Sequence, residues 1–245
     1  MPASALKSLW NTTIDMILPP RCLGSGDIVD IQGMVSPKVW PQLQFIEAPF
    51  CRTCGIPFSF EIANDAICAA CMEREPLFDQ SRSAVIYNEA SRKMVLDFKY
   101  GDRLHAIHTF APWMIRCGQN LIDEADFIVP VPLHQKRLRE RMFNQSALLA
   151  QEIAKRSNKV YIPDALLRTR HTLPQKGLNA RARDKNVQGA FAVNAKQDLK
   201  NKNILLIDDV FTSGATLNEC AKVLKVAKAA SVNVLTIARV TKEEF

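Results

Sequence analysis

The sequence has no run of about 18 uninterrupted apolar residues, the minimum for a membrane-spanning helix. It has no compact apolar leader followed by a cleavage site either, because Lys7, Asn11 and Asp15 interrupt the first segment. A cytoplasmic chain is expected. In that setting its seven cysteines cannot be a disulfide framework and read as reduced thiols or metal ligands. Histidine is scarce, and neither His105 nor His108 has a second type of ligand near it in sequence, so packing or surface roles are expected for both. No internal repeat is visible. Acidic residues are too few to balance the basic ones, and the formal net charge is +7.

What is present supports a folded chain. The apolar fraction is 47% and the charged fraction 23%, enough for a core and too little charge for global disorder. A length of 245 residues suits a small module plus one standard domain, or one large domain. The basic excess is local: segment 131–185 holds 13 Lys/Arg and 4 Asp/Glu, a net of 13 − 4 = +9. A patch of that kind suits pyrophosphate or a nucleic-acid backbone, and a solvated helix face accounts for only part of it.

One stretch organises the rest. Ile204 to Ile207 is a short apolar run, as in a strand buried on both faces. Asp208 and Asp209 follow, then Val210 and Phe211, then the small-residue loop Thr212-Ser213-Gly214-Ala215-Thr216. From Leu217 the apolar spacing is helical. Such a loop aims backbone N–H groups at one spot, backed by a helix dipole, and can hold a phosphate. The acidic pair beside it would face a polyol such as ribose, or Mg²⁺. Phosphate and ribose together suggest a phosphoribosyl group, whereas an ordinary strand-turn-helix crossover gives no reason for two adjacent acids.

A second stretch reads as a metal site. Cys51 and Cys54 form one CxxC knuckle and Cys68 and Cys71 another. Two such knuckles complete a tetrahedral four-sulfur site for structural zinc, with an iron–sulfur cluster as the lesser alternative. The zinc would stabilise a module too small to hold itself together by apolar burial.

The remaining segments give a coarse map. Residues 4–18 read as an amphipathic helix stopped by Pro19-Pro20, and 72–80 as a linker. Strands are expected at Ser83–Tyr87, Phe127–Pro132 and Val232–Val240. Ala90–Tyr100 reads as a helix or extended turn carrying Lys93 and Lys99, and a helix should carry His105 and His108 to about Leu121. A single long helix is expected over Leu138–Lys155, and a mobile loop or hairpin over 163–191.

Several motifs together resemble the ComF family, competence-protein-F-like phosphoribosyltransferases with an N-terminal double zinc ribbon. They are Phe98-Lys-Tyr-Gly101, Val129-Pro-Val-Pro-Leu-His134, Arg137-Leu-Arg-Glu-Arg-Met-Phe-Asn-Gln145, Pro174-Gln-Lys-Gly-Leu178, Asn186-Val-Gln-Gly-Ala-Phe191 and the Asp208–Thr216 loop. The loop is similar to the phosphoribosyl pyrophosphate (PRPP) loop of type I phosphoribosyltransferases. The resemblance implies an α/β fold: a type I phosphoribosyltransferase parallel sheet with flanking helices over 77–245, preceded by a small zinc-ribbon module over 1–76. The ligand would sit at the strands' C-terminal ends.

One departure stands out. The first ribbon keeps Cys22, but Ser25 stands at the place of its CxxC partner, and Ser36-Pro-Lys-Val39-Trp40 resembles a second knuckle stripped of both cysteines. One zinc is therefore expected, with Trp10, Trp40 and Phe50 packing where the other metal would be.

The resemblance also implies roles. Asp208 and Asp209 would bind the ribose hydroxyls, directly or through Mg²⁺, and Val210, Thr212, Ser213, Gly214, Ala215 and Thr216 belong to the ligand loop. His134 and Lys136, within Leu133–Lys136, occupy the position of the pyrophosphate loop. Lys99, Arg137 and the 175–183 segment are candidates to neutralise the leaving pyrophosphate, Lys99 counted with the two acids as catalytic. No base-binding hood follows the last strand, and the zinc module is the candidate to stand in for it. Two functions compete. One is a Mg²⁺-dependent phosphoribosyltransferase, a glycosyltransferase linked to DNA uptake and processing in competence. The other is a binder of PRPP or a nucleotide without turnover, whose ribbon and basic patch engage single-stranded DNA or a competence or recombination protein.

Overall fold

Ile204, Leu205, Leu206 and Ile207 are all buried, and they alternate between two cores. Leu205 and Ile207 join one cluster, Ile204 and Leu206 the other, as a strand covered on both faces requires. The structure is a computed structural model, and residues 19–63, 65–100, 103–172 and 180–241 are described, side chains excepted at 180 and 181. The helix expected over 4–18, with Trp10, and the segment 173–179 lie outside the described residues.

The strands are β1 (Gln80–Ile86), β2 (Phe127–Pro130), β3 (Val160–Tyr161), β4 (Leu166–Arg168), β5 (Phe191–Val193), β6 (Asn203–Phe211) and β7 (Ser231–Arg239). Five of them form a parallel sheet in the order β1-β7-β6-β2-β3. β4 and β5 form a separate antiparallel pair, but a helix at Ala180–Val187 lies between them in sequence, so 163–191 is not a simple hairpin. The helices are α1 (Ala69–Glu73), α2 (Glu89–Tyr100), α3 (Ile107–Glu124), α4 (Gln135–Arg141), α5 (Gln145–Ser157), α6 (Ala180–Val187) and α7 (Ala215–Val226). Residues of α2, α3 and α5 cover one face of the sheet, and those of α7 and the β4–β5 pair cover the other. Among the described residues no helix is long and apolar enough to cross a membrane.

Three local expectations change. β6 does not stop at Ile207: Asp208 pairs with Thr236 and Phe211 with Arg239, so the acids lie inside the strand. The long helix over Leu138–Lys155 is two helices. Met142 adopts φ +65°, and Asn144 caps α5 by accepting from Ser146 N at 3.1 Å, so the chain turns between them. Asn144 Nδ2 also donates to the Val131 carbonyl at 3.0 Å, which pins that turn to the end of β2.

The third concerns the zinc module. Strand β1 is an edge, and an open edge is a pairing hazard. Residues 44–53 cover it: Ile86 N donates to the Gln44 carbonyl at 2.8 Å, Ile46 N to the Ala84 carbonyl at 3.0 Å, and Ser81 N to the Thr53 carbonyl at 2.7 Å. Cys22, Leu23, Val39 and Leu43 enter the core with α2 and α3, while Cys51, Cys54 and Cys71 enter the core with α7. The described part of the module thus straddles the sheet edge and does not form a hood over the cleft. None of its described residues lines the cleft at the β6–α7 loop.

Candidate functional site

The cleft lies at the C-terminal ends of β2 and β6 and has a volume of about 430 Å³. Its walls include Asp208, Asp209, Val210, Thr212, Gly214, Ala215 and Thr216 from the β6–α7 connection. Facing them are Lys99 and Tyr100 at the end of α2, Leu133, Arg137 and Arg141 around α4, Gln145 and Ser146 at the start of α5, and Arg168 from β4. The fold therefore brings together the acids, the loop, Lys99 and Arg137. His134, Lys136 and Ser213 are not among the wall residues. His134 caps α4 by accepting from Lys136 N at 3.2 Å and packs against His171, with ring centroids 5.2 Å apart.

The two acids have different surroundings. Asp208 Oδ1 accepts from Ser146 Oγ and from Asp209 N, both at 2.9 Å. Burial, reinforced by the neighbouring Asp209 charge, pushes the Asp208 carboxyl up to about 7. Asp209 pairs with Lys99, Nζ to Oδ1 at 2.9 Å. Burial pulls the Lys99 ammonium down, but Asp209 and then Asp208 outweigh it, and the net shift is upward.

The basic wall is held in place by its own contacts. Arg141 donates to the Tyr100 hydroxyl at 2.8 Å and to Gln145 Oε1 at 3.3 Å. Arg137 donates to the Thr172 carbonyl at 3.3 Å and Arg168 to Thr172 Oγ1 at 2.6 Å. Arg168 also sits over the Phe191 ring at 5.1 Å. Both Arg137 and Arg168 are depressed by burial and by a neighbouring guanidinium, Arg141 and Arg137 respectively. Lys99, Arg137, Arg141 and Arg168 face three acids, Glu140, Asp208 and Asp209, which leaves a small surplus of positive charge that suits an anionic ligand.

The loop supplies the anion cradle. Gly214 has φ +77° and stands at the N-cap of α7, so the helix dipole points into the cleft. Ser213 Oγ is buried without a hydrogen-bond partner behind the cleft wall, so a phosphate would reach it only after the loop shifts.

The second site is the sulfur cluster. The Sγ atoms of Cys51, Cys54, Cys68 and Cys71 all lie within 4.8 Å of one another. Cys51 Sγ accepts from Cys54 N at 3.5 Å and from Cys68 N at 3.3 Å, the bonds that orient a thiolate in a knuckle. Gly55, at φ +70°, makes the knuckle turn, and a Cβ there would meet the Ser81 carbonyl at 2.5 Å. These donors fit one tetrahedral zinc.

Comparison with known proteins identifies two domains. A double zinc ribbon domain model matches residues 13–72 and a phosphoribosyl transferase domain model residues 144–244. The chain is 29% identical to competence protein F of Haemophilus influenzae, across 81% of this chain and 88% of that protein. It is 28% identical to DNA utilization protein YhgH of Escherichia coli, across 77% and 83% of the two chains. It is also 28% identical to competence protein ComFC of Bacillus subtilis, across 81% of each. The chain is similar to competence protein F and its relatives over most of its length. It has a phosphoribosyltransferase-like domain of the type I fold and a zinc-ribbon module whose four cysteines fit a metal ion.

The first ribbon of this chain lacks a full set of metal ligands. Cys22, Ser25, Ser36 and Val39 still meet: Ser25 Oγ and Ser36 Oγ are 3.0 Å apart, and Ser36 N donates to Cys22 Sγ at 3.3 Å. Gly24 packs so closely on Val39 that a Cβ would come within 2.7 Å of it. A hydroxyl pair and one valine thus fill the place of the metal. The aromatic residues expected there pack elsewhere: Trp40 against Phe45 at 5.2 Å, and Phe50 beneath Arg82 at 4.5 Å. Ser146 and Arg168 are wall residues outside the quoted motifs, and Tyr100 lies in the Phe98–Gly101 motif but had no role assigned to it. The signal for Ser146 was the Asn144-Gln-Ser146 capping turn directly after the basic run.

Proposed function

We propose that this protein binds PRPP, or a related phosphoribosyl ligand, together with Mg²⁺ in the β6–α7 cleft. The observation that carries the reading is the juxtaposition of Asp208 and Asp209 with the Gly214 helix N-terminus and the Lys99–Arg137–Arg141–Arg168 wall. Thr212, Ser213, Gly214, Ala215 and Thr216 would take the 5′-phosphate, and the acids the ribose hydroxyls, directly or through Mg²⁺. The basic wall would take the pyrophosphate. Mg²⁺ would supply charge neutralisation there. The protein groups would orient the anomeric carbon and stabilise departing pyrophosphate, which needs no covalent enzyme intermediate. His134 and Lys136 would then join only through a rearranged 133–136 loop. In this reading the chain divides into a ribbon module, 1–76, carrying one structural zinc, and a phosphoribosyltransferase-like domain, 77–245, working in the cytoplasm.

Calorimetry with PRPP and Mg²⁺ tests it. Binding is expected in the wild-type protein and loss of binding in Asp208→Asn with Asp209→Asn. Equal binding by both proteins moves the ligand elsewhere.

A second reading has one observation in its favour. Lys136 and Arg139 are exposed and lie outside the cleft walls, so they are free of any duty to a small ligand there. They suit single-stranded DNA, with competence or recombination proteins as further partners. DNA affinity should fall steeply with salt, and Lys136→Ala with Arg139→Ala should lower the salt slope by about 1–2. A salt-independent affinity argues against it.

A further inference from the structure

Arg239 ends β7 with only 6% of its surface exposed, and no motif of the sequence points to it. Its Nη1 donates to the Cys54 carbonyl at 2.6 Å, and its Nη2 to Cys54 Sγ at 3.3 Å. The same guanidinium lies over the Phe211 ring, 4.1 Å from its centroid. Phe211 is the last residue of β6 and pairs in register with Arg239. Its ring also packs edge-on against Phe78 at 5.8 Å. Beyond the ring lies Gly214, where a Cβ would meet the ring edge at 3.0 and 3.2 Å. One guanidinium therefore spans from the four-sulfur knuckle to the floor of the phosphate loop.

We propose that Arg239 is a positioning residue that ties the metal site to the phosphate loop, so that filling one orders the other. Four sulfurs within 4.8 Å of one another would be held together by a zinc they ligate, and the Cys54 turn would be part of that constraint. The turn supplies both acceptors of Arg239. A buried guanidinium without acceptors is costly, so a relaxed knuckle releases it. The Phe211 ring then loses the plane stacked on it, and Gly214 loses its floor. In the other direction, a cationic donor on Cys54 Sγ offsets the negative charge of a four-thiolate site and steadies the metal. The coupling acts on the loop itself and holds whether or not its ligand is PRPP.

The test uses the full chain loaded with zinc. Backbone hydrogen exchange over 208–217 is followed by mass spectrometry before and after zinc is removed by a chelator, with α3 as the folded reference. Exchange over 208–217 is expected to accelerate about tenfold in stripped wild type and in zinc-loaded Arg239→Met, with no further change when that variant is stripped. Zinc transfer to a chromogenic chelator should be roughly ten- to a hundredfold faster from Arg239→Met. Phe211→Leu should loosen the loop and leave zinc transfer near the wild-type rate. The proposal is overturned by exchange over 208–217 that ignores zinc, by equal acceleration across α3, or by wild-type zinc transfer from Arg239→Met. If Arg239→Met does not fold, the wild-type comparison with and without zinc decides alone.

Discussion

Ser146 Oγ donates to Asp208 Oδ1 at 2.9 Å across 62 residues of sequence. The serine stands in the first turn of α5, which Asn144 caps and pins to β2, so the cleft's more buried acid is oriented by a helix that precedes β6 by a whole crossover. Ser146→Ala leaves that oxygen with one donor fewer. The hydrogen bond counters the upward push on Asp208, so its loss should move the carboxyl higher still. A destabilisation of about 1–3 kcal/mol is expected from urea unfolding, together with weaker PRPP binding. Unchanged stability with unchanged binding would remove Ser146 from the site.

Lys99 answers a different need. Its ammonium and the Asp209 carboxylate keep 18% and 15% side-chain exposure, so the pair is largely but not wholly dry. Lys99→Met leaves Asp209 without its partner, and a loss of about 3 kcal/mol is expected, the low end for breaking a buried pair. Mg²⁺ can replace the missing charge. Thermal shift should therefore show millimolar Mg²⁺ stabilising Lys99→Met more than wild type, and an equal response in both would place the cation away from Asp209.

The upward shift of Asp208 to about 7 sets a pH dependence of definite sign. An ordinary carboxyl titrates near 4, so between about pH 4 and 7 the folded protein keeps a proton that the unfolded chain has released. The folded state binds more protons in that window, and this group's contribution makes stability fall as pH rises through it. Asp208→Asn removes the contribution. Its urea midpoint should gain on the wild-type midpoint between pH 5 and 8, whereas parallel curves would mean an unshifted carboxyl. Binding of Mg²⁺ at the acids should release a proton below pH 7, measurable as a buffer-dependent heat.

Much of this was legible locally. Ile204–Ile207 read as a doubly covered strand, and its alternation between two cores bears that out. The four cysteines announced their cluster by spacing alone. The break at Met142 was hidden because a non-glycine residue takes the left-handed turn and the run of apolar spacing continues past it. The place of the ribbon was hidden for another reason. Which module covers an exposed strand edge depends on sheet order, and only the assembled β1-β7-β6-β2-β3 arrangement makes β1 the edge that needs cover.

The rebuilt first ribbon predicts a metal count. Cys22 is fully buried beside Ser36, and among the described residues it belongs to no group of side chains that could hold a metal ion. Metal analysis should give one zinc per chain in the wild type and in Cys22→Ala, and none in Cys54→Ser with Cys68→Ser. Two zincs per chain, or loss of zinc in Cys22→Ala, would contradict this account of the ribbon.

Gly214→Ala separates backbone cost from packing cost at the phosphate loop. A left-handed conformation costs an L-residue about 1–2 kcal/mol. Gly189, at φ +67°, has open space on its side-chain face, where an added Cβ would meet nothing within 4 Å, so Gly189→Ala would show that cost alone. At Gly214 the same cost adds to contacts of 3.0 and 3.2 Å with the Phe211 ring. That ring is clamped by Arg239 on its face and Phe78 at its edge, so it cannot step aside without disturbing both. The loop must move instead, and its N–H groups turn away from the bound anion. Gly189→Ala should lower stability by about 1 kcal/mol and leave PRPP affinity unchanged. Gly214→Ala should lower stability by more and weaken PRPP binding at least about tenfold, a cost near 1.4 kcal/mol. Equal effects of the two substitutions on affinity would show that the Phe211 floor does not shape the cradle.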